Sequence, residues 1–180
     1  MPASASENQL PIIKEILRHK GNISILDIGI GWGNFGKLIK DQMPQAKIIG
    51  VEVWPKYNNY QWDYYDQVII QDIRQCLTSL RYFDIILAID VIEHFPKDEG
   101  AGLIKQLRAK TNNLLVSVPI IDYPQGPYAG NPYEIHRAQW KPQEMLTLGA
   151  KWLYHGQIIG LFRFNGKLSA KVKQLIRRYF

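Results

Sequence analysis

The chain has 180 residues, 46% of them hydrophobic and 21% charged, with a formal net charge of +6. That length suits one domain with a layered α/β core, and a single cysteine, Cys76, excludes an internal disulfide framework and fits a reducing compartment. Of the six net positive charges, five belong to Lys167, Lys171, Lys173, Arg177 and Arg178, a stretch with no acid, which leaves +1 on the rest and no general footprint for nucleic acid.

Met1 to Leu10 is small and polar and lacks the apolar core of a signal peptide. No run approaches the ~20 apolar residues of a membrane span, so no membrane span is expected and a cytoplasmic location is. Residues 1–22 form a leading segment whose helix, Gln9 to Lys20, carries apolar residues at Leu10, Ile13, Ile16 and Leu17. The run Ile23 to Ile28 reads as the first strand. It enters Gly29-Ile30-Gly31-Trp32-Gly33-Asn34-Phe35-Gly36, and a helical pattern through Leu38 and Ile39 leaves toward Gln42. A strand, a glycine turn and a helix bring bare backbone N–H groups and a helix N-terminus close to a ligand.

Lys47 to Val53 is the second predicted strand, with Glu52 near its C-terminal end, and Pro55 suits the first turn of a following helix. Gln67 to Gln71 is a short third strand ending at Asp72. The continuous apolar run Phe83 to Ile89 is an interior parallel strand ending at Asp90. A helix opens at Pro96 and Asp98, and Leu114 to Val118 forms a fifth strand. From Ile120 to Trp140 the chain is rich in proline, glycine and tyrosine and has no clear period. A loop that long in a compact domain is usually functional. A short helix, Pro142 to Leu148, precedes two β-like runs, Lys151 to His155 and Ile158 to Phe164, whose separation at Gly156-Gln157 favours an antiparallel hairpin. Residues 167–180 read as a basic helix. The alternation of β and α units predicts a parallel sheet with helices on both faces and ligands at the strands' carboxyl ends.

Gly31 to Gly36 fits the dinucleotide pattern G-x-G-x-x-G, which alone is weak evidence. Asp27 argues against a pyrophosphate, because its carboxylate repels phosphate and attracts an ammonium group. Acids also recur at four successive strand ends, Asp27, Glu52, Asp72 and Asp90. That array suits a sugar diol, an amino group on a base and an amino-acid moiety.

Leu26-Asp27-Ile28-Gly29-Ile30-Gly31-Trp32-Gly33 resembles the first motif, D-x-G-x-G-x-G, of class I S-adenosylmethionine-dependent methyltransferases. Glu52 resembles their ribose acid and Asp72-Ile73 their adenine-facing pair. Asp90-Val91-Ile92-Glu93-His94 resembles a D/E-V-x-E-H segment of the small-molecule branch. The resemblance spans roughly Ile23 to Phe164. It implies a single domain with a three-layer, Rossmann-like α/β sandwich, a mostly parallel seven-stranded sheet and an antiparallel C-terminal hairpin.

It also implies S-adenosylmethionine as cofactor and a small-molecule methyl acceptor, attacked in line by the acceptor's nucleophile. Asp27 with Gly29, Gly31 and Gly33 would hold the methionine end, Glu52 and its neighbour Val53 the ribose, Asp72 and Ile73 the adenine. Asp90 would line the site near the sulfonium. Trp54 is either a wall for adenine or an ordinary core or surface aromatic.

For the acceptor side, residues 120–140 are expected to form a lid. His136 and His94 are the candidate catalytic bases, needed only where the acceptor carries a proton. The bland reading makes His136 a loop staple and His94 an anchor. Tyr123, Tyr128 and Tyr133 would wall the acceptor or simply pack, with Tyr128, Tyr133 and His136 as the substrate-binding candidates. A metal held by Asp90, Glu93, His94 and His136 is conceivable, but no spacing of metal-ligand type is present, so no metal is expected. Two other functions compete, an RNA methyltransferase and an inactive cofactor-binding module. Amino-methyltransferases of nucleic acids place [N/D]-P-P-[Y/F] after strand four, where this chain has none; Asn131-Pro132-Tyr133 follows strand five instead.

Overall fold

The run Phe83–Ile89 is apolar on both faces, and such a strand is stable only between two neighbours and under two layers of helix. The computed structural model, which describes residues 6–166, places it there. It is β4, flanked by parallel β1 (Ser24–Ile28) and parallel β5 (Thr111–Pro119). Beyond β1 lie β2 (Lys47–Glu52) and β3 (Gln67–Ile70), both parallel. Beyond β5 lies β7 (Ile159–Asn165), antiparallel, with β6 (Lys151–His155) antiparallel on its outer side. The order across the seven-stranded sheet is β3-β2-β1-β4-β5-β7-β6. The chain reverses direction of growth between β1 and β4, and that switch point is where open α/β sheets leave a crevice for ligand.

Alternate side chains serve two cores. On one face Ile25, Ile48, Ile85, Leu87 and Leu115 pack beneath α1 (Ser6–Ile16) and α2 (Asn34–Gln42). On the other, Leu26, Ile86, Ala88, Leu114, Val116 and Phe162 pack beneath α3 (Ile73–Cys76), α4 (Lys97–Leu107) and α5 (Pro142–Thr147). Each fully buried Ile, Leu or Phe contributes about 1.5–3 kcal/mol. Cys76 is a buried free thiol in the second core, in keeping with a small apolar filler.

Two expectations are corrected. The leading helix begins and ends earlier than Gln9 to Lys20, and its buried stripe is Asn8, Ile12 and Ile16, with Leu10 and Leu17 exposed. Pro11 lies inside the helix and hides its true phase. The segment after Pro55 forms two short 3-10 turns, Pro55–Tyr57 and Tyr60–Tyr64, instead of an α-helix. They turn Tyr57, Trp62 and Tyr65 inward. The basic helix expected at 167–180 lies outside the described residues. Among the described residues no helix is long and apolar enough to cross a membrane.

Two polar contacts join the ends of the described chain, an ion pair of Glu15 with Arg163 at 2.6 Å and a clasp by Glu7. The Glu7 carboxylate, at the start of α1, accepts hydrogen bonds from the backbone N–H groups of Gln157 (3.2 Å), Ile158 (3.1 Å) and Ile159 (2.8 Å) in the β6–β7 turn. Although burial works against it, these three donors hold the Glu7 carboxyl below its usual range.

Candidate active site

The turn after β1 is left-handed at three glycines, with φ of 68° at Gly29, 51° at Gly31 and 87° at Gly33. Gly29 has a second constraint, since a Cβ there would lie 2.7 Å from Val91 Cγ2. Next to the turn, β2 ends at Glu52, 5% exposed. Its carboxylate accepts one backbone bond at each oxygen, from Gly31 N–H (2.9 Å) and Trp54 N–H (2.8 Å). Burial, with a smaller push from Glu134, drives this carboxyl up while the backbone N–H groups of Trp54, Gly31 and Val53 pull it down, and the net direction is upward. Each oxygen keeps a further lone pair.

Behind the turn, Asp27 is 2% exposed and bonded to the Tyr65 hydroxyl at 2.6 Å. That hydroxyl also accepts from Gly36 N–H at 3.0 Å, one of the unpaired donors of the first turn of α2. The ring reaches Asp27 through a slot between Gly36 and Gly50, where added Cβ atoms would stand 2.3 Å and 2.9 Å from it. Gly36, the last glycine of the dinucleotide lookalike, therefore admits a tyrosine and has no phosphate to bind. Burial raises the Asp27 carboxyl to about 7, against the hydrogen bond from Tyr65 and with a smaller push from Glu52. Trp62 closes the same corner by donating its indole N–H to the Gly31 carbonyl at 2.8 Å.

Asp72 caps α3, accepting from Arg74 N–H at 2.9 Å, and its carboxylate is gripped by the Arg74 guanidinium at 2.6 Å. Arg74 holds Asp72 below the usual carboxylate range. The same guanidinium reaches Glu99 at 2.6 Å and lies over the Phe95 ring. At the end of β4, Asp90 adopts φ 53°, a left-handed conformation that aspartate tolerates better than most residues. Ser117 on β5 fixes it, accepting from its N–H and donating to Oδ1.

These strand ends border one cleft of about 360 Å³. Gly29, Gly31, Glu52, Val53, Asp72, Ile73, Asp90, His94 and Tyr133 line it, as the sequence led one to expect. Asp27, Gly33, Trp54, Tyr128 and His136 do not. Asp27 was expected at the mouth of the turn and lies behind it, because Tyr65 draws it into the core. Gly33 is the N-cap of α2. Trp54 stands beside the cleft with its ring 6.2 Å from that of Tyr133. Tyr128 belongs to a tight turn with Asn131, left-handed at Ala129 and Gly130. Sequence reasoning missed Arg74, Phe95, Glu99, Asn131, Glu134 and Arg137 on the cleft wall.

The loop from Ile120 to Trp140 is stapled to the body. Tyr57 donates to the Glu134 carboxylate at 2.9 Å, and Asn131 donates to the Tyr57 hydroxyl at 3.0 Å. Gln125 donates to the Glu134 carbonyl at 2.7 Å. The Glu93 carbonyl receives the N–H groups of Arg137 and Ala138. His94 Nδ1 lies 3.2 Å from the Ile135 carbonyl, and His136 Nδ1 lies 2.7 Å from the Tyr123 carbonyl. Both anchoring readings of the histidines are thus realised in hydrogen bonds. The two rings stand edge to face with centroids 5.0 Å apart, and burial lowers both imidazoles from their ordinary value. His136 lines a second pocket of about 200 Å³ with Glu93, Tyr123 and Arg137. Arg137 also lines the main cleft, so the two adjoin.

A family model described as a methyltransferase domain matches residues 6–159. The chain belongs to that family and is a methyltransferase. No curated protein sequence matches it. Among solved structures, magnesium protoporphyrin IX methyltransferase (ChlM) from Synechocystis PCC 6803 with bound SAM is similar at 14% identity and TM-score 0.63, covering 89% of this chain and 80% of that one. The PH0226 protein from Pyrococcus horikoshii OT3 is similar at 17% identity and TM-score 0.65, covering 89% of each chain. The N-terminal domain of EvdMO1, crystallised with SAH and D-fucose, is similar at 14% identity and TM-score 0.66, covering 91% of this chain and 85% of that one. At these identities the likeness shows the fold, which is the seven-stranded α/β sandwich described above.

Proposed function

We propose that this chain transfers the methyl group of S-adenosylmethionine to a small-molecule acceptor. The observation that carries the reading is the Glu52 carboxylate, fixed by Gly31 and Trp54 with a lone pair on each oxygen left for a ribose diol. The residues present fit the cofactor. Gly29 and Gly31 let backbone approach the methionine end without a Cβ in the way, and Val53, Ile73 and Phe95 supply apolar surface for adenine. Asp72 would meet the adenine amino group only by sharing its carboxylate with Arg74. Asp27 would act on the ammonium group from behind the turn, next to the cleft-lining Ile28 and Gly29.

The cofactor supplies a methyl group already activated by its sulfonium. What the chain must do is hold a nucleophile in line and keep water out. In this reading the stapled loop of residues 120–140 does both as a lid over the acceptor, and the pocket lined by His136 is the acceptor site. A volume of about 200 Å³ suits a small metabolite or one ring of a larger one. His136 and His94 serve as bases for an acceptor hydroxyl, since both are inclined to the neutral form that accepts a proton.

Titration calorimetry with S-adenosylmethionine and S-adenosylhomocysteine tests the reading. Binding of both at one site per chain is expected, and binding of neither overturns it.

A further inference from the structure

The sequence spacing argues against a metal, but the lid carries His136 onto the end of β4. There a carboxylate oxygen of Glu93 and one ring nitrogen each of His94 and His136 all lie within 4.8 Å of one another. We propose that Glu93, His94 and His136 form a binding site for a divalent first-row transition metal ion of the zinc class, at the junction of the cofactor cleft and the second pocket.

Three features support it. The first is Glu93 itself, 2% exposed, with neither carboxylate oxygen hydrogen-bonded to another residue. A buried carboxyl with no hydrogen-bond partner is costly, and a bound cation would supply one. The second is the orientation of the histidines. A backbone carbonyl only accepts, so Nδ1 carries the hydrogen in both rings and Nε2 keeps a free lone pair. Metal-binding histidines are held in this way, the outer nitrogen donating to a carbonyl or carboxylate that fixes tautomer and ring direction. The third is the donor set. Two imidazoles and one carboxylate make up a three-ligand site that leaves coordination positions open, and they favour zinc-class ions over magnesium or calcium. Ligands of a tetrahedral zinc stand about 3.3 Å apart.

On the methyl-transfer reading, which the site itself does not require, a bound ion would replace the two histidines as the group that activates an acceptor hydroxyl, because both Nε2 lone pairs would be committed to it. His94 lines the cofactor cleft and Glu93 and His136 line the second pocket.

The test uses the metal alone. Chelator-stripped full-length protein is titrated with Zn2+ by calorimetry and with Co2+ by visible absorption, in the absence of cofactor. One equivalent of tight binding is expected, with Co2+ bands in the visible range. His136→Ala and Glu93→Gln are each expected to weaken Zn2+ binding by ~10-fold or more. Glu93→Gln keeps the side-chain shape and removes only the charge, and melting curves establish that both variants are folded; His136→Gln replaces His136→Ala where folding fails. No uptake by the wild-type protein at 100 μM Zn2+ (roughly the weak end of a specific site) overturns the proposal, as does unchanged affinity in both variants. Because no cofactor is present, either outcome leaves the methyl-transfer reading to its own experiment.

Discussion

The glycine turn at the strand ends and the loop of residues 120–140 beside it, the proposed lid, are built by opposite means. At Gly29–Gly33 and Glu52 the determinants are backbone geometry and two N–H bonds to Glu52, one from Gly31 across the adjoining strand ends and one from Trp54 two residues on. The lid is held by side chains that meet only when the fold is complete, Tyr57 with Asn131 and Glu134, and His94 with the Ile135 carbonyl. On the proposed function, the contrast divides the labour between a binding turn set by local sequence and an acceptor cover whose shape depends on the whole fold.

The contrast can be broken or sharpened by mutation. The largest effect is expected at Glu52. Hydrogen bonds to a charged group are worth about 1.5–3 kcal/mol each, so Glu52→Ala should weaken S-adenosylhomocysteine binding by ~100-fold in calorimetry. Next comes Gly29→Ala, which forces an alanine to φ 68° against Val91. It should cost about 2–3 kcal/mol in urea unfolding. Gly130→Ala in the lid, left-handed but with open space around it, should cost about 1–2 kcal/mol. Equal losses at the two glycines would erase the distinction between a crowded turn and an open one.

Tyr57→Phe is expected to act in the reverse sense to Glu52→Ala. It removes the hydroxyl that joins Asn131 to Glu134 and should lower stability by about 1–3 kcal/mol, while cofactor affinity changes less than ~3-fold. An equal loss of affinity would mean that the loop residues on the cleft wall, Asn131 and Glu134 among them, bear directly on cofactor binding.

The smallest effect is one of pH. Asp27, faced by Tyr65 and Glu52, keeps its proton in the folded chain up to about pH 7, whereas an ordinary aspartate loses it near 3.8. Its contribution to stability is therefore complete below pH 3.8 and gone above about 7. A cationic ligand needs the ionised form. Affinity for the cofactor should rise through pH 6 to 8 by about tenfold, with proton release visible as a buffer-dependent binding enthalpy. Asp27→Asn should bind more weakly and lose that dependence.

Much of the fold was legible in the sequence because parallel strands are written as unbroken apolar runs. Phe83 to Ile89 matches β4 residue for residue, and Glu52, Asp72 and Asp90 sit at strand ends on the cleft. The segment from Trp54 to Tyr65 was not legible. Its aromatics follow no helical period, and their work is done by polar tips: Tyr57 on Glu134, Trp62 on Gly31, Tyr65 on Asp27. Arg74 was missed although it stands two residues after the capping Asp72, a separation at which a long cation readily folds back. The pairing of His94 with His136 has no local signal, being created by the return of the lid across β4 and β5.

The Glu7 clasp on the β6–β7 turn bears on the order in which the chain assembles. Its partners are 150–152 residues away, so the contact closes nearly the whole described chain into a loop, and that closure gains nothing until the sheet between is in place. Its expected place is late in folding, after the rate-limiting barrier. Glu7→Gln should therefore leave the refolding rate almost unchanged and accelerate unfolding. On that expectation the clasp, together with the Glu15–Arg163 ion pair at 2.6 Å, would set how long the edge hairpin stays on the sheet once it is made.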